Sequence, residues 1–149
     1  MRAVVQRVTR AAVRSEGELT GSIEAGLCVL VGVAVEDTER DARALAAKVV
    51  ALRVFSDDSA KMNLDLRGVG GALLAVSQFT LLGDVRRGRR PSFTAAQLPE
   101  VAEALFTTFC EACRELGVRV ETGRFRTNMQ VELVNDGPVT ILIDTTRVF

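Results

Sequence analysis

Histidine is absent from all 149 residues, and so are tryptophan and tyrosine. Without an imidazole there is no Ser-His-Asp or Cys-His unit, no His-ligated metal, and no general base whose ordinary pKa lies near neutrality. A hydrolase built on this chain has to use another route. Cysteine is scarce as well. Cys28, Cys110 and Cys113 are an odd set, and the start of the chain lacks the apolar core and cleavage site of a signal peptide. Both features point to a reducing, cytoplasmic setting. Cys110-Glu111-Ala112-Cys113 has CxxC spacing but falls deep in a predicted helix, whereas redox pairs sit at a helix N-terminus. It reads as two ordinary buried thiols. A zinc site would need two further ligands, and Cys28 is the only other Cys or His in the chain, so no metal and no cofactor are expected. No apolar run approaches the ~20 residues of a membrane span. Basic and acidic residues balance at 19 each. With no global basic field, any contact with nucleic acid has to come from a local patch.

Nearly half the residues, 48%, are apolar, enough to bury the core of a single domain spanning residues 1–149. Residues 2 to 14 are valine-rich and read as extended. Glu16-Gly17-Glu18 reads as a turn, and Leu19 to Ile23 as a short return strand. Gly26 opens an apolar run to Val35, the pattern of a strand buried on both faces. Thr38 and Asp41 suit a helix start. Ala42, Leu45, Val49 and Leu52 then recur at helical spacing, predicting a helix from about 39 to 53. Residues 56 to 71 read as a connecting loop, Ala72 to Ser77 as a strand, and residues 83 to 92 as a second loop. Pro99 opens and Gly117 stops a second helix with Leu105, Phe109 and Ala112 on its buried face. Three strands follow: Val118 to Glu121, Met129 to Val134, and Val139 to Asp144. The expected fold is α+β, with a mainly antiparallel sheet and two main helices.

Two segments carry chemistry. Ser77-Gln78-Phe79-Thr80-Leu81 has a plain reading as a strand end with a buried Phe. It also sets three hydrogen-bonding side chains beside one aromatic ring, which suits a pocket that stacks a base and holds a polar substrate. Asn135-Asp136-Gly137-Pro138-Val139-Thr140 has a plain reading as a hairpin turn, because Asp-Gly between apolar strands is a strong hairpin signal. Pro138 complicates that reading, since proline cannot donate to a sheet ladder. By physics alone its peptide bond is expected to be trans, cis being found in only ~5% of X-Pro bonds. Arg86, Arg87, Arg89 and Arg90 surround Gly88. They read equally as a solvated loop or as a phosphate-binding stretch.

The two segments together resemble the paired signature of the D-aminoacyl-tRNA deacylases, and the likeness runs along essentially the whole chain. Met1-Arg2-Ala3-Val4-Val5-Gln6-Arg7-Val8 is similar to the family's start. So are Leu52-Arg53-Val54-Phe55, Lys61-Met62-Asn63, Arg87-Gly88-Arg89-Arg90-Pro91-Ser92-Phe93 and Val120-Glu121-Thr122-Gly123-Arg124-Phe125. The animal-type branch differs in the first signature. One departure stands out. The family usually has a Gly-Ala pair and a variable residue between Phe125 and Met129, where this chain has Arg126-Thr127-Asn128.

The resemblance implies a barrel-like fold, a homodimer, and hydrolysis of the ester between a D-amino acid and the 3′ end of tRNA. Glycine mischarged on tRNA-Ala is implied as a further substrate. It also implies that Gly137 and Pro138, joined by a cis bond, enter the partner's active site as a chirality filter that rejects L-amino acids. Ser77, Gln78, Phe79, Phe125 and Met129 would surround the substrate, and Gln78 and Thr80 would position it. The arginine loop would meet tRNA backbone. Hydrolysis would lean on the 2′-hydroxyl of the terminal ribose, which accounts for the missing histidine. A nucleophilic Thr80 is the alternative mechanism. A non-catalytic RNA-binding module and a cysteine hydrolase are the rival functions.

Overall fold

A valine-rich run carries a long first strand, β1 (Arg2–Ser15), and the Glu16-Gly17 turn returns it as β2 (Glu18–Ile23). The computed structural model describes residues 1–148. Its further elements are β3 (Gly26–Gly32), α1 (Glu39–Val50), β4 (Phe55–Ser56), β5 (Met62–Leu64), β6 (Ala72–Ser77), a 3-10 turn (Phe79–Leu82), α2 (Pro99–Glu115), β7 (Arg119–Thr122) and β8 (Met129–Asp144).

β1 organises the sheet. It pairs antiparallel with β3 through Arg2–Val8, with β2 through Ala11–Ser15, and with β8 along nearly its whole length. The β3–β6 and β6–β7 pairs are parallel. α1 and α2 lie in the two crossovers, as parallel neighbours require. Antiparallel pairs still outnumber parallel ones, as expected. The sheet curls into a nearly closed barrel, bringing β2 back toward β7. A Cβ at Gly21 would lie 2.7 Å from the Thr122 carbonyl oxygen, so the backbones meet where only glycine leaves room.

β3 and β6 are buried on both faces, as their unbroken apolar runs predict. Alternate residues serve two cores. Leu27, Val29, Val31, Leu73 and Ala75 join the core that holds α1 and α2, with Leu45, Val49, Leu105 and Phe109. Cys28, Leu74 and Val76 face the barrel interior with Val8, Val13 and Ile23. The three thiols are buried. Burial pushes Cys28 up to about 11 and Cys110 and Cys113 up to about 12. They are therefore neutral packing groups at physiological pH. No helix among the described residues is long and apolar enough to cross a membrane.

Three expectations need correction. α1 ends at Val50 rather than near residue 53. There the chain turns so that Arg53 can donate from Nε to the Asn63 carbonyl at 2.9 Å and from its fork to the Asn63 side chain. The predicted 56–71 loop begins with a small hairpin, β4 with β5, too short to leave a periodic signal. The Asn135–Val139 stretch is not a hairpin turn at all. β8 continues through it as one strand along β1, with Asn135 opposite Val8 and Thr140 opposite Gln6. Residues 136–139 therefore form an oversized bulge facing Arg7. Along β1 the buried side changes at Val8, since Ala3 and Val5 pack in the core that holds the helices and Val8 in the barrel interior. A second register shift, at Thr9, keeps Ala11 and Val13 on the interior side with Val8.

Candidate active site

The C-terminal end of β6 opens on a cleft of ≈ 710 Å³. The Gln78 backbone N–H is tied to the Val31 carbonyl at 2.7 Å, and the 3-10 turn then folds back over β3. Gly32 permits this approach. A Cβ there would meet Leu82 Cδ2 at 2.6 Å and the Gln78 carbonyl at 2.9 Å. Val31, Val33, Val76 and Val131 supply an apolar lining. Ser77, Gln78 and Phe79 enter from the β6 end, Phe125 from the loop between β7 and β8, and Met129 from the first position of β8.

Five of the predicted site residues thus share one cleft, although nearly fifty positions separate the two groups. The parallel β6–β7 pair brings them together. Phe79 is 58% exposed, so the strand-end reading with a buried ring is wrong. The ring instead meets Phe93 edge-on at 5.0 Å between centroids. Phe106 and Phe125 form a second pair at 6.4 Å. Phe93 and Phe106 line the cleft as well. Sequence reading missed both, because a single phenylalanine in a loop or on a helix has no local mark of a site.

Thr80 is exposed and lies outside the cleft lining. Its hydroxyl oxygen accepts from Gln78 Nε2 at 2.5 Å, and no base engages it among the described residues. Thr127 donates to the Arg124 carbonyl at 2.8 Å and meets Ser15 Oγ at 2.6 Å. It thereby satisfies a hydroxyl that is fully buried. Arg126 takes a left-handed backbone conformation, φ 58°, at the cleft rim.

The Gly137–Pro138 bond is cis. Both residues are exposed and neither lines the cleft of its own chain. The bulge that carries them is held from both ends. Asn135 Nδ2 donates to the carbonyls of Arg7 and Val139 at 2.9 and 3.0 Å, and the Arg7 side chain braces Asp136. Sequence reading also missed Arg7, which lies about 130 residues away along the chain.

The arginine loop borders a second cavity of ≈ 410 Å³. Its residues are not equivalent. Arg86 donates to Asp84 from Nε at 2.9 Å and from Nη2 at 2.7 Å, which holds the Asp84 carboxyl well below the usual carboxylate range. Arg87, Arg89 and Arg90 have no ion pair among the described residues.

The fold has close counterparts among solved structures. One is the c-Myc DNA Unwinding Element Binding Protein, with TM-score 0.90 and 41% identity over 97% of this chain and 98% of that one. A probable eukaryotic D-amino acid tRNA deacylase shares the fold alone, at TM-score 0.82 and 18% identity over 95% of this chain and 97% of that one. The class is therefore the barrel-like α+β fold common to these proteins. The D-Tyr-tRNA(Tyr) deacylase family matches residues 4–144, and the chain belongs to that family. Among curated proteins, it is 61% identical to the D-aminoacyl-tRNA deacylase of Anaeromyxobacter dehalogenans over all of both chains. It is 60% identical to that of Symbiobacterium thermophilum over 100% of this chain and 99% of the relative.

Proposed function

We propose that this protein hydrolyses the ester bond of D-aminoacyl-tRNA, releasing free D-amino acid and tRNA, and acts in the cytoplasm. Membership of the deacylase family along nearly the whole chain carries this reading. The cleft suits the substrate. Its paired phenylalanines offer faces on which a terminal base stacks, and Ser77 and Gln78 offer polar contacts to the aminoacyl group.

The working unit in this reading is a homodimer. β8 is 16 residues long and among the described residues pairs only with β1. Its other edge leaves backbone N–H and C=O groups unpaired within the chain, and its faces expose Leu142, at 57%, and Val134, at 41%. A free edge so long, flanked by exposed apolar side chains, needs covering. Gly137 and Pro138 stand on this strand outside their own cleft, which favours a role in the partner's. There their backbone would occupy the space an L side chain needs, while a D side chain points away. Such a filter reads handedness and not side-chain identity, and it passes glycine, including glycine mischarged on tRNA-Ala.

The cleft holds no histidine, and among the described residues Glu16, on the turn between β1 and β2, is the only carboxylate in its lining. The protein's part is positioning and hydrogen bonding, and the 2′-hydroxyl of the terminal ribose assists the hydrolysis. Nucleophilic attack by Thr80 is the less favoured route, because its hydroxyl oxygen only accepts from Gln78 Nε2 and no base among the described residues takes its proton. Arg86, Arg87, Arg89 and Arg90 lie on the side that meets the tRNA backbone.

Incubation with D-aminoacyl-tRNA tests the proposal. Release of free D-amino acid and intact tRNA is expected. Binding without ester loss would return the chain to the class of RNA-binding modules. Sedimentation tests the assembly, where a fully active monomer would contradict the dimer.

A further inference from the structure

The two cavities share one stretch of backbone. Phe93 lines the larger cleft, while its neighbours Ser92 and Thr94 line the smaller one with Asp84, Arg86, Arg87 and Arg90. Asp84 and Ser92 close the base of the arginine loop with two backbone hydrogen bonds of 2.8 and 2.9 Å. Phe93, just beyond that closure, packs edge-on against Phe79. A group seated in the smaller cavity is therefore held on the far side of Phe93 from the aminoacyl cleft.

The charges in this cavity are unequal. Arg86 donates to Asp84 from its backbone N–H at 3.0 Å as well as from its guanidinium. The pair is neutral as a unit, and its fork is already filled. Arg87 and Arg90 keep their charges free of ion pairs among the described residues. They line this cavity together with Ser92 and Thr94, whose hydroxyl oxygens lie 3.4 Å apart. Two guanidinium groups beside two small hydroxyls form a donor set for a phosphate. No Asn or Gln lines the cavity, so the paired amide contacts that read adenine are absent there.

We propose that Arg87, Arg90, Ser92 and Thr94 form a seat for one phosphodiester of the tRNA acceptor end, and that Arg86 is a positioning residue locked onto Asp84 rather than a ligand. This inference rests on the deacylase reading. It divides the four arginines into binding and shaping roles and ties the seat to the cleft through residues 92–94.

The test measures binding of uncharged tRNA to the full-length protein as a function of KCl, alongside hydrolysis of D-aminoacyl-tRNA. Replacing Arg87 and Arg90 together with Ala should flatten the log K against log salt slope by about 0.7–0.9, the value for one lost phosphate contact, and Arg87→Ala and Arg90→Ala should each take part of that loss. Arg87→Lys and Arg90→Lys should restore most of that slope. Arg86→Ala should weaken binding at every salt concentration without changing the slope. Slopes unchanged in both Ala variants would overturn the seat, and a slope loss in Arg86→Ala equal to theirs would overturn the division of roles. Inorganic phosphate and a mononucleotide, titrated separately, distinguish the source of the anion. Tight binding of either one, with tRNA slopes unaffected by the variants, would make this a small-anion site and contradict the proposal. If wild type hydrolyses no D-aminoacyl-tRNA, the deacylase reading fails instead, and the two failures are distinguishable.

Discussion

Arg7 Nε stands 3.0 Å from Asp136 Oδ2 and 3.1 Å from the Asp136 carbonyl oxygen, so one guanidinium on β1 braces the residue that precedes Gly137. Its Nη1 donates to the Val54 carbonyl at 2.5 Å, which anchors the brace to the turn after α1. The bulge of β8 is thus fixed by a side chain from the strand it departs from.

Arg7→Ala should loosen the bulge while leaving the rest of β1 paired. The expected result is a fall in D-aminoacyl-tRNA hydrolysis of at least about tenfold, with a stability loss of about 1–3 kcal/mol for the broken charged hydrogen bonds. Steady-state kinetics and denaturant unfolding on the same preparation check both. A variant with wild-type kcat/KM would show that the brace does not matter to the site.

Gly137→Ala separates folding from function. An added Cβ would meet only Asn135 Oδ1, at the ordinary distance of 3.5 Å, so stability should change by no more than about 0.5 kcal/mol. If the residue works inside a partner's cleft, the same methyl intrudes on the substrate there. Activity on D-aminoacyl-tRNA should drop at an unchanged Tm, without good activity on the L-substrate appearing. An Ala variant with the wild-type rate would reduce this stretch to a structural bulge.

Much of this architecture was legible from local pattern. Ala42, Leu45 and Val49 located α1, and Pro99 and Gly117 bracketed α2, because helices announce themselves over a dozen residues. β8 was misread as two strands and a turn because Asp136-Gly137 carries hairpin chemistry. Long-range pairing with β1 on both sides of the bulge overrides that local preference, and no local signal reveals it. The cleft was half legible. Ser77, Gln78 and Phe79 stood out as a cluster, but Phe93 and Phe106 join them only through packing. The neutralisation of Arg86 was within reach, since Asp84 lies two residues away.

The proposed route, with no protein nucleophile, gives a sharp kinetic expectation. Thr80→Ala should retain activity within about tenfold of wild type, far from the roughly 10⁶-fold loss that removal of a true nucleophile can bring. A substrate ending in 2′-deoxyribose should be nearly inert. Burst kinetics with an acyl group trapped on Thr80 would favour the covalent route.

The thiols should be bystanders. With Cys28 raised to about 11 and Cys110 and Cys113 to about 12, almost none is thiolate at pH 8, and all three are buried. Iodoacetamide at that pH should leave native protein active and unmodified by mass, and should label it only after denaturation. Loss of activity in step with labelling of the folded protein would revive a cysteine mechanism.

The most direct test of the central claim uses one tRNA acylated with either D-tyrosine or L-tyrosine, each incubated with the purified wild-type protein while ester loss is followed over time. The two substrates share every bond and differ only in handedness, so any difference in rate is the filter itself. The D-ester should be cleared while the L-ester decays no faster than in buffer alone. Equal rates on the two would contradict the account.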